Sequence, residues 1–231
     1  WLLYPTVLRA APQRENGGRP NMMLGVDITG SMTQEKKLQS LQSAVSDIVN
    51  RYAQSYRFGL IAFKGTKAEL LVQIGPEKVA DSATHAASIS QAVQKFVAVG
   101  GTPMLGAMKL ARTNYEKILP NDRLHKYPNV KVKRVNFVLL VTDGEPTDAD
   151  PTPAIKQLFN LKVGSKTYAI RTFVVGLGRL PNIRPDLLRK YAAAGGGADQ
   201  FLQATTADVL AARIEQAVKN ALPKEECNGL D

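Results

Sequence analysis

The stretch Met22-Met23-Leu24-Gly25-Val26-Asp27-Ile28-Thr29-Gly30-Ser31 decides the fold of this chain. Its apolar first half predicts a buried strand. That strand ends at an acid, Asp27, and hydroxyl side chains follow at alternate positions, Thr29 and Ser31. In an α/β protein, ligands bind at the carboxyl ends of the strands. We therefore expect these three side chains to line a binding site.

Two later segments supply side chains of the same chemical kind. The segment Gly100-Gly101-Thr102-Pro103 places a hydroxyl on a glycine loop, and a second apolar run, 138–142, ends at Asp143 and Gly144. Two carboxylates and three hydroxyls are hard oxygen donors, which Mg²⁺, Mn²⁺ and Ca²⁺ prefer. Each motif alone also fits a helix cap or a turn. Their joint occurrence in this order favours a divalent-cation site.

The pattern Asp-x-Thr-x-Ser, then Gly-Gly-Thr, then Thr-Asp-Gly resembles the metal-ion-dependent adhesion site of von Willebrand factor type A domains. The resemblance covers residues 20–222. The five positions of the site, in order, are Asp27, Thr29, Ser31, Thr102 and Asp143. The family more often has serine at the second position, where threonine keeps the hydroxyl. The resemblance implies a bound divalent cation with an open coordination position that takes a carboxylate from a ligand.

The same resemblance implies a role for each side chain. Asp27, Ser31 and Thr102 would coordinate the cation directly or through water, and Ser31 would do so directly. Thr29 would line the site, and Asp143 would bind directly or through water, depending on the conformational state.

Apolar runs typical of strands alternate with helical patterns, which predicts a doubly wound, mostly parallel sheet with helices on both faces. The predicted strands are 21–27, 57–63, 69–74, 134–142, 167–175 and 200–202, and the predicted helices are 34–55, 88–97, 104–119, 153–160, 184–194 and 207–222. A short turn precedes strand 69–74, which makes it an antiparallel edge strand. We expect an N-terminal extension (1–20), one domain (21–222) and a C-terminal tail (223–231).

Charge and composition limit the classes of partner and the settings that fit this chain. The 231 residues have a net charge of +10, which favours acidic partners through long-range attraction. The densest basic segment, 123–134, is either a nucleic-acid face or a solvated loop, and its single interleaved aromatic favours the loop. No apolar run approaches the roughly 18 residues of a membrane span. The single cysteine, Cys227, is either a free thiol or pairs outside this segment, so the compartment stays open. Because the chain starts at Trp1, we expect a mature or excised part of a larger protein.

Other chemistries find little support. The phosphate-loop pattern fails at Ala107, where its lysine would stand, and a dinucleotide fingerprint fails at Pro181. His85 and His125 are expected in polar loops, without partners at the spacing of zinc ligands. A hydrolase would need a general base beside the cation, for which Glu145 is the one candidate. Glu145 and Asp148 are otherwise expected on the rim, as outer-shell acceptors or plain surface residues.

The sequence therefore predicts a non-enzymatic adhesion or protein-binding module. It would capture an acidic residue of a partner protein or matrix through a divalent cation, with Mg²⁺ expected first and Mn²⁺ or Ca²⁺ also fitting the donors. Alanine-rich helices and the segment Gln203-Ala-Thr-Thr-Ala-Asp-Val209 are similar to those of bacterial pilus-associated and surface adhesins, which implies an extracellular setting. The alternative is an intracellular assembly domain that docks onto an ATPase or chelatase subunit.

Overall fold

The computed structural model describes residues 18–121, 134–196 and 201–221. His125, Cys227 and the basic segment up to residue 133 lie outside the described residues, as does most of the predicted N-terminal extension. Within the described residues, no helix is both long enough and apolar enough to cross a membrane.

Strands and helices alternate along the described chain, as predicted. The strands are β1 (Asn21–Asp27), β2 (Arg57–Lys64), β3 (Lys67–Gly75), β4 (Asn136–Thr142), β5 (Leu161–Val163), β6 (Lys166–Tyr168), β7 (Arg171–Leu177) and β8 (Leu202–Ala204). The helices are α1 (Lys37–Arg51), α2 (Ser82–Gln94), α3 (Met104–Ile118), α4 (Thr152–Phe159), α5 (Pro185–Ala194) and α6 (Ala207–Ala221). Six strands form one sheet in the order β3-β2-β1-β4-β7-β8. All neighbours in this sheet are parallel except β2 and β3.

The sheet is covered on both faces, which confirms the predicted fold class. Every residue of β1 and of β4 is buried, as expected for central parallel strands between two helical layers. Alternate side chains of these strands enter two separate cores. Helices α1, α2 and α6 pack on one face, and α3, α4 and α5 pack on the other. The layers hold the carboxyl ends of the parallel strands at one edge of the sheet.

Three of the predicted elements show the largest differences from the structure. The predicted strand 167–175 starts too early, because the chain first forms the small antiparallel hairpin β5–β6, which turns at Gly164 with a φ of +59°, before it enters β7 at Arg171. The predicted helix 34–55 begins at Lys37 instead, since Glu35 and Lys36 have left-handed backbone angles that end a preceding 3₁₀ turn. Helix α2 begins at Ser82, six residues before the predicted start.

The early start of α2 also corrects the placement of a histidine. The sequence predicts a loop at His85, but this residue lies in the first half of the helix and is partly buried. Its Nε2 atom is 2.8 Å from the carbonyl oxygen of Phe58 on β2. His85 therefore joins α2 to the sheet.

Candidate metal centre

The carboxylate of Asp27 is held at the carboxyl ends of two neighbouring strands. Val26 of β1 pairs with Val141 of β4, so Asp27 and Thr142 end adjacent strands. The Thr142 hydroxyl donates to Oδ2 of Asp27 at 2.7 Å, and the Thr29 backbone N–H donates to Oδ1 at 3.0 Å. Asp27 is fully buried, so these two bonds fix the direction of its carboxylate.

The hydroxyls of Thr29 and Ser31 lie side by side directly beyond β1. Their Oγ atoms are 3.2 Å apart. Thr29 has extended backbone angles, and a 3₁₀ turn over Gly30–Lys36 follows it. The backbone N–H of Met32 donates to the Thr29 carbonyl at 3.0 Å, and the Met32 side chain is fully buried. This buried anchor holds both hydroxyls on the same side of the turn.

The glycine loop brings Thr102 to this turn. The Gly30 N–H donates to the Gly100 carbonyl at 2.9 Å. Gly100 has a φ of +71°, and a Cβ there would lie 2.6 Å from the Cα of Gly65, so only glycine fits without displacing the β2–β3 turn. The Thr102 N–H donates to the Thr147 hydroxyl at 2.7 Å, and the Thr147 N–H donates to the Thr102 carbonyl at 2.9 Å. Thr102 is thus fixed between the loops that follow β1 and β4.

Asp143 forms a buried ion pair with Lys37, a residue outside the five predicted site positions. The Lys37 ammonium donates to Oδ2 of Asp143 at 2.9 Å, and the two side chains are 1% and 7% exposed. The lysine stem lies over Gly178, where a Cβ would approach Lys37 Cε to 2.8 Å. Lys37 lies on the same face of the helix as the buried residues Leu41, Val45 and Ile48, at spacings of three or four residues. This spacing could have indicated that Lys37 is buried.

The electrostatics of the site favour an added positive charge. Burial, and after it the nearby charge of Asp143, raise the pKa of the Asp27 carboxyl to about 6, against the lowering effect of the hydrogen bonds from Thr29 and Thr142. Two carboxylates face one ammonium, so the ionised site has an excess of one negative charge. A bound cation would offset both the excess charge and the desolvation of Asp27.

The donor set suits a hard divalent cation. Among the described residues, no three His, Cys, Asp or Glu side chains are grouped so that they could hold a metal ion by themselves. The predicted site differs from such a group, because hydroxyls supply three of its five donors. Hydrogen bonds link Asp27 to Thr29 and Thr29 to Ser31. Asp143 lies close enough to raise the pKa of Asp27, and the Thr102 loop is joined to the same turn. Hydroxyl and carboxylate oxygens fit Mg²⁺, Mn²⁺ or Ca²⁺ better than a soft metal.

The two rim carboxylates are engaged elsewhere. Glu145 accepts from the Arg184 guanidinium at 3.0 Å. Asp148 accepts from the backbone N–H groups of Leu105 and Gly106 at 3.2 and 2.9 Å, in the first turn of α3. Asp148 therefore satisfies free donors at a helix start, which is a structural role.

The sequence model of the von Willebrand factor type A domain matches residues 21–216 of this chain. The chain belongs to this family. The resemblance seen in the sequence is thereby confirmed at the level of the family, and the six-stranded sheet with helices on both faces agrees with it.

Relatives of this von Willebrand A domain are diverse. Mouse inter alpha-trypsin inhibitor heavy chain 4 is 28% identical over 195 residues, which cover 81% of this chain but 18% of the mouse protein. Proximal thread matrix protein 1 of the mussel byssus, solved with a zinc-occupied MIDAS motif, is 18% identical with a TM-score of 0.60, over 89% of this chain and 46% of that one. The pilus adhesin SpaC from Lactobacillus rhamnosus GG is 14% identical with a TM-score of 0.58, and the match covers 88% of this chain and 31% of SpaC. At these identities the two structures show a common fold.

Proposed function

We propose that this domain is a non-enzymatic binding module that captures an acidic side chain of a protein or matrix partner through a divalent cation. Asp27, Thr29, Ser31, Thr102 and Asp143 would hold the cation, with Mg²⁺ expected first. The observation behind this proposal is the convergence of three loops, which places hydroxyls and carboxylates at one edge of the sheet. The zinc-occupied MIDAS motif of the mussel relative supports a divalent ion.

The charge count explains why the ligand would be acidic. Two carboxylates and the Lys37 ammonium leave one negative charge, and a divalent cation changes it to one positive charge. A partner carboxylate would then neutralise the site while it fills the open coordination position. The hydroxyls are neutral donors, so they hold the ion without cancelling its attraction for this carboxylate.

Two observations favour binding over hydrolysis. Glu145, the one candidate general base beside the site, is paired with Arg184 and lies at the exposed rim. The acid with the raised pKa, Asp27, is fully buried and already accepts two hydrogen bonds, so it is poorly placed to activate a water for attack. In this proposal the cation recognises a ligand and no bond is broken.

We further propose a cell-surface or extracellular setting, in which the domain works as an adhesion module. The similarity of its fold to a pilus adhesin supports this setting. The net charge of +10 would speed encounter with acidic partners.

Calorimetric titration with Mg²⁺ and with Mn²⁺ tests the site. Asp27→Ala and Ser31→Ala are each expected to abolish the binding heat while the domain stays folded by circular dichroism. Asp47→Ala is the matched control, because Asp47 is an exposed aspartate on α1 that pairs with Arg51. Unchanged cation binding in either site variant would reject the site.

The ligand is tested with a short acetylated peptide that contains one glutamate. Binding, followed by NMR shifts of the domain, is expected in Mg²⁺ and is expected to disappear in excess chelator. Equal shifts with and without the chelator would refute a metal-bridged contact.

A further inference from the structure

A cleft beside the metal centre is left open because helix α2 ends early. Helix α2 covers the sheet through its buried residues Ala86, Ile89 and Val93, and it stops at Gln94. The chain then returns to the site, where the Val99 N–H donates to the Ile28 carbonyl at 3.1 Å. The helix leaves the carboxyl end of β2 and the adjoining amino end of β3 uncovered on this face. A cleft of about 560 Å³ remains there.

The floor of this cleft is apolar. Ile28, Ala62 and Phe96 line it and are 3%, 5% and 9% exposed. Leu71 and Val99 also line it, yet they remain 40% and 52% exposed. Leu71 and Val99 therefore present apolar surface to solvent inside one concave area, where an apolar side chain of a ligand could cover it. The volume is within the usual range of roughly 300–1,000 Å³ for ligand pockets.

The charged side chains that line the cleft are mostly positive. Lys64, Lys67 and Lys95 stand against a single acid, Glu69. Within residues 18–121, 134–196 and 201–221, none of the four takes part in an ion pair. The excess of positive charge around an apolar floor selects a ligand that is acidic and has an apolar side chain.

The cleft and the metal centre share their walls. Ile28 lies between Asp27 and Thr29 in the chain, so its Cα is about 3.8 Å from each of theirs. Its side chain lines the cleft, while the neighbouring two side chains belong to the metal centre. The loop from Val99 to Thr102 likewise borders the cleft at one end and the metal centre at the other.

We propose that the cleft is a second subsite for the same acidic partner. The occupant is a peptide segment of the partner that has a large apolar side chain close in sequence to the metal-binding acid, with further acidic residues beside it. This inference rests on the proposed function, because the metal-bound carboxylate sets the position of the segment. The apolar side chain enters the cleft, and the added acids meet the lysines.

A panel of acetylated peptides of the form Glu-(Gly)n-Phe-Asp, with n from zero to three, is the probe. Each has a matched peptide with serine in place of phenylalanine. Affinities are measured by NMR titration in Mg²⁺ and in excess chelator. At the best spacing, phenylalanine is expected to strengthen binding roughly tenfold over serine, the gain that partial burial of one aromatic ring gives. Shifts of Ile28, Ala62 and Val99 methyl groups are expected to report the contact.

Variants of the cleft separate it from the metal centre. Ala92→Phe is expected to fill the cleft and remove the gain from phenylalanine, while the serine peptides bind as before. Ala87→Phe is the matched control, since Ala87 is exposed on the same helix and does not line the cleft. Lys95→Glu is expected to weaken the acidic peptides severalfold. Lys156→Glu, on an exposed position of α4, is the control for net charge.

The outcomes distinguish this inference from the proposed function. If Mg²⁺-dependent binding occurs but phenylalanine and serine peptides bind equally at every spacing, the inference is wrong and the proposed function stands. If phenylalanine peptides bind equally well in chelator, the cleft acts without the cation, and the two-point contact and the metal bridge are both refuted. If Ala92→Phe and Ala87→Phe behave alike, the ring binds elsewhere and the inference is again wrong.

Discussion

Replacing Lys37 by methionine is expected to make the stability of the domain depend on the cation. The substitution keeps a long apolar stem beside Gly178 and removes the ammonium that pairs with Asp143 at 2.9 Å. Asp143 and the fully buried Asp27 would then face each other without a positive charge. The repulsion is present whenever both carboxylates are ionised and no metal is bound.

The size of the effect follows from the burial of the pair. Removing one partner of a buried ion pair costs about 3–5 kcal/mol. Asp143 keeps 7% of its side chain exposed, so the lower end, about 3 kcal/mol, is expected in the presence of chelator. Mg²⁺ should bind Lys37→Met at least roughly tenfold more tightly than the wild type, because the ammonium that repels the ion is gone. Saturating Mg²⁺ should therefore restore more stability to the variant than it adds to the wild type.

Urea unfolding in chelator and in Mg²⁺ measures the change in stability, and calorimetric titration measures the Mg²⁺ affinity. Lys36→Met is the matched control, since Lys36 is the exposed neighbour and its replacement should change neither. A loss below about 1 kcal/mol in chelator would show that Lys37 does not neutralise the site. Equal Mg²⁺ affinity in wild type and Lys37→Met would refute the competition between ammonium and cation.

Three further predictions concern the same site. The raised pKa of Asp27 means that the folded state holds this proton more tightly than the unfolded chain, so the destabilising contribution of the carboxylate is absent below about pH 4 and complete above about pH 6. In chelator, urea unfolding should therefore show that Asp27→Asn stabilises the domain more at about pH 7.5 than at about pH 5. The affinity of the wild type for Mg²⁺ should fall as the pH drops through 6. A stability difference and a Mg²⁺ affinity that both stay constant with pH would contradict this prediction. Thr142→Val should cost about 1.5–3 kcal/mol in the unfolding free energy and weaken Mg²⁺ binding, because a hydrogen bond to a buried carboxylate is lost. Thr172→Val, at a buried hydroxyl without a partner in the described structure, should be neutral or stabilising, and equal losses in the two variants would be evidence against the role of the bond. Gly100→Ala should lower both stability and Mg²⁺ affinity, since its Cβ would lie 2.6 Å from a neighbouring backbone atom. Gly164→Ala, with a similar φ and open space, should cost only about 1–2 kcal/mol. Calorimetry and thermal melts of the two variants test this difference.

Much of the fold followed from local patterns. Strand β1 was predicted with its observed bounds, and β2 and α3 were predicted to within one residue at each end, because long apolar runs and helical stripes are unambiguous there. The β5–β6 hairpin was missed and the three-residue strand β8 was predicted two residues too early, since strands this short have few alternations to define them.

The partners of the site residues were harder to foresee. The order of the motifs indicated which oxygens belong together, but the ion pair between Lys37 and Asp143 joins residues 106 positions apart. A lysine at the start of a helix is usually solvated, and its burial here depends on the space above Gly178, a tertiary feature. The role of Thr142 depends in the same way on which strand lies next to β1.

The β5–β6 hairpin offers a practical handle on this molecule. It leads into the start of β7, whose first residue, Arg171, pairs with Phe137 near the start of β4, so the hairpin lies at the end of the sheet opposite Asp27. At its tip, Gly164 has nothing within 4 Å of where a side chain would begin. A biotin-acceptor tag inserted between Gly164 and Ser165 should therefore anchor the domain to a sensor chip with its cation-binding edge directed into the flowing sample, so that every immobilised copy presents the same face.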